Sequence, residues 1–567
     1  MNRNTETQFS QMPTKTIPRS KFDHSQSIKF TFNTGDIIPF YVEEILPHDT
    51  TNIATNMVIR MATPIYPVMD NAYIDFYYFF VPSRILWEHW KAMNGENEED
   101  YWTQKTEYSV PQLQFDEAVQ VGTIADYMGI PVGYKDTNKA NRGVNALPFR
   151  AYAKIFNDWF RNENTTLPAT LSTDDLNRNY NPGDSNTNPQ YAELGGLPLK
   201  ASKFHDYFTS ALPAPQKGPA VNISLQNDVP VITGNNIKDW GSEENAQGMR
   251  IARNLSGFTG AGQFMLGVQA GRTGEELSQW VGDLRAGQNS ATLQENIKVF
   301  PANLWAQTSA LTATNVNELR MAFAVQRMLE LDARSGTRYI EILQAHWGVS
   351  SPDARLQRSE YLGGFRKIIN ISQVLQTSST DNTSPLGETG AYSLTEEFEK
   401  GEFTKSFDEH GYLLGLCVVR TDHTYQQGIE KMWSRKSRFD FYDPIFANIG
   451  EQAILNKEIY AQGTDVDDEV FGYQEAWADY RYKPARIAGY FRSGIEGGSL
   501  DSWHYADYYS QLPTLSQDWM NETPVNMDRT IAIQSDTSHQ LIADVYINNT
   551  MVRAMETYSI PGLIDHN

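Results

Sequence analysis

The sequence predicts a mainly β protein, a jelly-roll-like body with long excursions between its strands. Three observations carry this reading. Aromatic residues make up 12 % of the 567 residues, and Asn, Thr and Gly are plentiful, a mix that favours strands and long loops over helix bundles. Short alternating runs occupy residues 28–81 and recur after residue 403. Between them lie long stretches rich in Asn, Thr, Pro and Gly, and jelly rolls grow by lengthening the connections at the ends of the sandwich.

Residues 1–27 are polar and carry Arg3, Lys15, Arg19 and Lys21. They read either as a disordered tail or as an extended arm against a neighbour or a polyanion. SIKFTF, IIPFYVEEIL and MVIRMATPIY follow as strand runs broken by turn signals. DFYYFFV (75–81) sets Phe76, Tyr77, Tyr78, Phe79 and Phe80 on both faces of one strand. A strand that is apolar on both faces must be covered on both. Pro82 and Ser83 open a short helix with Leu86, Trp87 and Trp90 on one side. These seven aromatics fit the core of the subunit or a contact with a neighbour, and the sequence leaves both open.

Apolar spacing predicts an amphipathic helix over 145–161, with Tyr152, Ile155, Phe156 and Trp159 on its buried side. It predicts another over 318–331, ended by RSGTR, and a third in YIEILQAHWG. Residues 162–200 and 376–392 read as loops, and 204–219 end in a Pro-rich stop. YLLGLCVVR, DRTIAIQ and QLIADVYI read as strands. Residues 220–310 differ from both flanks and read as a large insertion, because linkers rarely carry Phe, Met, Leu and Trp together. Within it, GFTGAGQFMLGVQAG (257–271) brings together Gly257, Phe258, Gly260, Gly262, Phe264, Met265 and Leu266. Apolar residues on a surface mark interaction sites, and glycine permits close approach of backbones.

The net charge of −22 makes a self-repelling protein whose overall field does not attract DNA or anionic lipid. The one cysteine, Cys417, allows neither an internal disulfide nor a cysteine-based zinc site, and its apolar surroundings suggest an inert thiol. Residues 1–21 lack the apolar segment of a secretory signal, and no apolar run approaches the length of a membrane span. No catalytic pattern appears. GAGQFM has Met265 where a dinucleotide loop needs its third glycine, and HExxH, GxSxG and a P-loop lysine are missing. DVDDEV (465–470) starts like a calcium loop but has Val470 at the turn position, and reads as a solvated acidic loop. The sequence therefore predicts neither an enzyme nor a bound cofactor or metal. One basic cluster stands out: KMWSRKSR places Lys431, Arg435, Lys436 and Arg438 around Trp433. Cations interleaved with an aromatic suit a phosphate backbone and a stacked base, whereas the flanking Glu430 and Asp440 suit an ordinary surface salt-bridge patch.

Several segments together resemble the major capsid proteins of microviruses, specifically the gokushovirus group. They are SKFDHS (20–25), FNTGDIIPFYVEEILPHDT (32–50), RMATPIYPVMDNAYIDFYYFFVPSRILWEHW (60–90), NALPFRAYAKIFNDWFR (145–161), DYFTSALPAPQKGPAV (206–221), GTRYIEILQAHWGVSSPDARLQRSEYLGG (336–364), EHGYLLGLCVVRTDHTYQQGIEKMWSRKSRFDFYDPIFANIGEQ (409–452) and VFGYQEAWADYRYKP (470–484). They run in order over nearly the whole chain. Two positions depart from the family's pattern: His48 stands where glycine is expected in the LPGDT turn, and Ser359 where proline usually precedes EYLGG.

The resemblance implies an eight-stranded antiparallel jelly roll of viral capsid type, with long insertions containing a few helices. It implies an arm at 1–27, a body from 28–219 and 311–567, and an insertion at 220–310 that forms a protrusion near a threefold axis. It implies a structural role: copies packed as a T=1 icosahedral shell around circular single-stranded DNA, in the virion, assembled in the host bacterial cytoplasm. The partners implied are other copies of the chain, the DNA, a small basic DNA-binding protein, an internal scaffolding protein, a DNA pilot protein and a host surface receptor, without membrane insertion. A jelly roll of this kind also suits a carbohydrate-binding, lectin-like protein, and two carboxylates distant in sequence would hide a carbohydrate-active enzyme.

Overall fold

The computed structural model describes residues 18–96, 107–136, 142–183, 189–219, 316–375, 389–495 and 498–558, with short strand pieces and single residues elsewhere. The chain forms two units: Met1–Lys217 with Leu329–Asn567, and Gly218–Met328.

The first unit is built on eight strands. β1 runs in two segments, Ser20–Asp23 and Gln26–Phe32. β2 is Ile38–Ile45, β3 Thr50–Met61 and β4 Ala72–Pro82. After a long excursion come β5 (Glu360–Ile368), β6 (Thr395–Ser406) and β7 (Gly411–Thr421). A second excursion precedes β8 (Leu541–Arg553). The strands lie in the order 1-8-3-6 in one sheet and 5-4-7-2 in the other, every neighbouring pair antiparallel. The chain crosses between sheets at every connection except β4 to β5. That is the wiring of a jelly roll.

Side-chain alternation explains the sandwich. In β8, Leu541, Ala543, Val545 and Ile547 are buried, while the residues between them are exposed. This sheet is therefore covered on one face only along β8. β4 and β7 sit in the other sheet and are buried on both faces. Phe76, Tyr78 and Phe80 of β4 enter the core between the sheets, with Leu413, Cys417 and Val419 of β7. Phe79 and Val81 point the other way, into a second core with Leu414, Leu416 and Val418. Helix α1 (Leu147–Ile155) and Trp87 roof that second core, and Tyr77 and Trp90 pack against its margin, partly buried. Ring contacts tie the strand to both layers: Phe76 stacks on Phe365 at 5.0 Å and Phe80 meets Phe407 at 4.6 Å on one face, and Phe79 meets Phe160 at 6.0 Å on the other. β5 approaches β4 so closely that a Cβ on Gly364 would lie 2.0 Å from the Phe76 carbonyl oxygen. Burial pushes the Cys417 thiol pKa up, as an inert thiol requires.

Several expectations need correction. The sheet begins before residue 28: Ser20–Asp23, expected in the arm, pairs with Thr550–Arg553, and residues 1–17 lie outside the described residues. The single helix after Pro82 is two separate turns, Ser83–Leu86 and Trp90–Met93, because Trp87 adopts an extended backbone to bury its ring. The helix over 145–161 is α-helical only to Ile155 and then widens through Phe156–Phe160, which leaves Trp159 half-buried with its indole N–H donating to the Ser359 carbonyl at 3.0 Å. DRTIAIQ is not a strand. A helical turn at Val525–Asp528 precedes it, and Ile531 forms only an isolated bridge with Pro64. The helices over 318–331 and 339–348 are present as α2 (Val316–Ser335) and α3 (Tyr339–Trp347), stopped by Gly336 and Gly348 in left-handed conformation.

Both departures from the family pattern have visible consequences. His48 has a φ of 73°, the left-handed region where glycine is the ordinary choice. Ser359 is buried, and its N–H and hydroxyl both donate to Asp158 Oδ2 at 2.9 Å. A proline could make neither bond.

In the second unit, Val231–Thr233 pairs with Leu304–Ala306, and Arg250–Arg253 lies between Phe264–Met265 and Val299–Pro301, all antiparallel. Among the described residues, no helix is long and apolar enough to cross a membrane.

Candidate functional site

The basic cluster lies in the excursion from β7 to β8, residues 422–540. A buried ionic knot anchors the start of that excursion to the sandwich. His423 Nδ1 lies 3.1 Å from both carboxylate oxygens of Asp507, and its Nε2 lies 2.9 Å from Glu522. Lys203 Nζ lies 3.4 Å from Asp507, and Thr421 donates its hydroxyl to Glu522 at 3.0 Å. Burial by itself would favour neutral imidazole, but Asp507 and Glu522 outweigh it and push the His423 pKa up to about 10. Burial of Asp507 works in the same direction against its charge, and His423 and Lys203 overcome it, holding the carboxyl well below the usual range. Two cations and two anions thus bury together as a neutral group. Tyr425 then donates to Asp206 at 2.6 Å, and a Cβ on Gly428 would strike the Glu458 carbonyl oxygen.

Beyond this anchor the chain turns outward. Short 3₁₀ turns at Lys431–Ser434, Arg438–Asp440 and Pro444–Phe446 carry the cluster. Polar bonds fix each turn. Asp440 accepts from the backbone N–H groups of Lys436 and Ser437 at 2.8 and 2.7 Å, and Asp443 caps Ile445. Trp477 donates its indole N–H to the Phe446 carbonyl at 2.8 Å.

The five residues singled out from the sequence share this segment but differ in role. Arg435 is mostly buried, forms an ion pair with Asp479, and stacks 4.2 Å over Tyr480. Lys431 reaches the Ala453 carbonyl at 3.3 Å. Trp433 is 70 % exposed, and Lys436 and Arg438 are exposed. Arg435 is therefore occupied within the subunit, which leaves Lys436 and Arg438 as the accessible cations of the cluster. Sequence reading missed the opposite wall. Tyr480, Tyr482, Lys483 and Arg486 face Trp433 and Lys431 across a groove of about 630 Å³. Lys483 and Arg486 both pair with Glu430, at 3.1 and 3.2 Å. The string YRYK at 480–483 was a usable signal, since it repeats the cation–aromatic interleaving of the cluster.

The other singled-out residues go elsewhere. Phe76, Tyr78, Phe79, Phe80 and Trp87 are buried within the subunit. Of the insertion residues, Gly257, Phe258, Gly260, Gly262 and Leu266 lie outside the described residues, and Phe264 and Met265 form a two-residue strand against Arg250–Ile251. The acidic run 465–468 is a 3₁₀ turn in which Asp467 accepts from the N–H groups of Gln462 and Gly463. Among the described residues no group of carboxylates, histidines or cysteine is arranged to hold a metal ion. The groove is thus lined by aromatic rings and by cations that are mostly paired within the subunit.

Comparison with known proteins bears on what that surface serves. A family model described as capsid protein (F protein) matches residues 10–563. The chain is 41 % identical to capsid protein VP1 of Bdellovibrio phage phiMH2K, over 99 % of this chain and 98 % of that one. It is 40 % identical to capsid protein VP1 of Spiroplasma virus 4, over 98 % and 97 %. The corresponding protein of Chlamydia phage 1 is 37 % identical over the same shares.

Proposed function

Because the chain belongs to the phage capsid protein (F protein) family and is a structural subunit of a virion, self-assembling into a shell and not an enzyme, we propose that its copies close into a T=1 icosahedral shell around a circular single-stranded DNA genome. The observation that carries the proposal is the pairing of a closed 1-8-3-6 and 5-4-7-2 sandwich with two very long excursions, β4 to β5 and β7 to β8. The sandwich is stable wall material, and the excursions supply surface for neighbours. A coat with a net charge of −22 does not neutralise DNA. In this reading the phosphate charge is met by cations and a small basic packaged protein, while scaffolding and pilot proteins join during assembly in the host bacterial cytoplasm. Electron microscopy of sedimented material, after co-expression with the neighbouring genes, tests the shell. Small uniform icosahedral particles are the expected result, and soluble subunits under every partner combination would overturn it.

The second unit supports a further part of the reading, a protrusion at the threefold axis that meets the host surface. Its Gly-rich apolar piece is the kind of sequence that suits an exposed contact or a crowded axis. Deleting 257–271 is expected to leave particle yield unchanged and to lower adsorption to the host at least tenfold. Normal adsorption would refute the attachment role.

A further inference from the structure

We propose that the outward face of the 433–482 segment is a contact between copies of this chain within the shell; the proposal rests on the shell reading above. The composition of the face is the first argument. Phe439 is 72 % exposed and Ile445 86 %, and Phe441, Tyr442, Tyr480 and Trp433 are exposed beside them. These residues form one patch. Phe439 meets Phe446 at 6.2 Å, Tyr442 meets Tyr480 at 6.1 Å, and the Arg435 guanidinium lies over both Tyr480 and Phe441. At about 150–250 Å² per aromatic side chain, exposures of this size leave roughly 600–900 Å² of side-chain surface in water. That is at or above the largest apolar patch of an ordinary monomer, roughly 300–600 Å². It matches the ~800 Å² that each partner of a stable complex covers.

The second argument is rigidity. The turns that carry the rings are held by the Asp440 cap, the Asp443 cap, the Arg435–Asp479 pair and the Trp477 bond to Phe446. The Arg435–Asp479 pair is largely covered and Asp443 is partly buried, while the apolar rings stay exposed. A monomer gains nothing from this inversion, whereas a surface fixed in its bound shape loses little entropy on docking.

Charge chooses the occupant. The accessible cations Lys436 and Arg438 rim the patch, with Lys483 and Arg486 paired to Glu430 nearby. The chain as a whole carries −22, so a second copy presents on average the acidic surface that such a rim complements. Single-stranded DNA fits less well. Ile445, the most exposed residue of the face, offers no stacking surface, and Arg435 is already engaged.

The test compares wild type with the double variant Phe439→Asp, Ile445→Asp. Wild type is expected to form particles, and the variant to give at least tenfold fewer while its thermal unfolding stays within a few degrees of wild type. Particles at normal yield and normal DNA content would overturn the contact. Particles at normal yield with depleted DNA would overturn it in favour of a genome-facing surface. If the wild type itself forms no particles, the shell reading fails separately. Sedimentation velocity of the soluble subunit then decides the contact: concentration-dependent self-association that the double variant abolishes upholds it, and monomers at every concentration overturn it. Lys436→Ala with Arg438→Ala is expected to lower particle yield two- to fivefold at low salt, with the difference shrinking at high salt.

Discussion

Two aromatic-rich segments of this molecule meet opposite fates. The strand Ala72–Pro82 buries Phe76, Tyr78, Phe79 and Phe80 between layers, while the turns from Trp433 to Tyr482 hold their rings in water. The residue types are similar, so the difference lies in what surrounds them. β4 has hydrogen-bonded neighbours on both sides and a core on each face. The turns are held by capping aspartates and an ion pair, and their rings stay exposed within the described subunit. Aromatic density therefore marks where contact area is concentrated. The backbone pairing around it decides whether that contact is internal.

The largest expected effect breaks the internal side. Phe76→Ala removes a ring wedged against Phe365 and Phe40 in the inter-sheet core. It should cost about 4 kcal/mol and yield little soluble subunit. Chemical denaturation would show it, and a midpoint unchanged from wild type would contradict the core assignment.

A smaller effect sharpens the comparison at its hinge, the buried knot that joins excursion to sandwich. His423→Gln should destabilise the subunit by about 3 kcal/mol, because it leaves buried carboxylates with one cation fewer. The pH dependence has a definite sign. His423 is raised to about 10 from an unfolded value near 6.5. Its stabilisation is therefore complete below about pH 6.5 and is lost as pH rises toward 10. Asp507 is depressed, so its share is present above about pH 4 and is lost as pH falls below that. The melting temperature of the wild-type subunit should decline between pH 7 and 10. The His423→Gln curve should start lower and lack that decline; parallel curves would exclude the knot as their cause.

The smallest effect concerns the external side. Phe439→Ser should change the stability of the isolated subunit by less than about 0.5 kcal/mol, as substitutions on an exposed surface do. A loss of several kcal/mol in calorimetry would mean that the ring has a partner inside the subunit.

Much of the sandwich was legible because alternation and burial coincide there. QLIADVYI, read as a strand, is β8, and the doubly apolar DFYYFFV is a strand with a layer on each face. DRTIAIQ misled because its two isoleucines do different things outside any strand: Ile531 closes the end of the inter-sheet core, while Ile533 is exposed. The helix after Pro82 misled because helical spacing records which residues are buried together, and Trp87 reaches burial by leaving the helix. At the surface the charges of 431–438 were legible. The ion pair that occupies Arg435 was not, since Asp479 lies 44 positions away. RFDFYDPIF alternates like a half-buried strand, and only the observed turns show that its apolar residues point outward.

The placement of β8 sets a rule for manufacture. It is the last of the eight strands to leave the ribosome, yet it lies between β1, the first, and β3. A chain halted before Leu541 holds seven strands, but nothing joins β1 to the rest of its sheet, and the apolar faces of both stay open. Such a fragment cannot close the sandwich on which any docking surface depends, and its unpaired edges invite chaperones and proteases. Translation order thus acts as inspection: only a chain read through to Arg553 qualifies as building material, and nonsense fragments are barred from the wall.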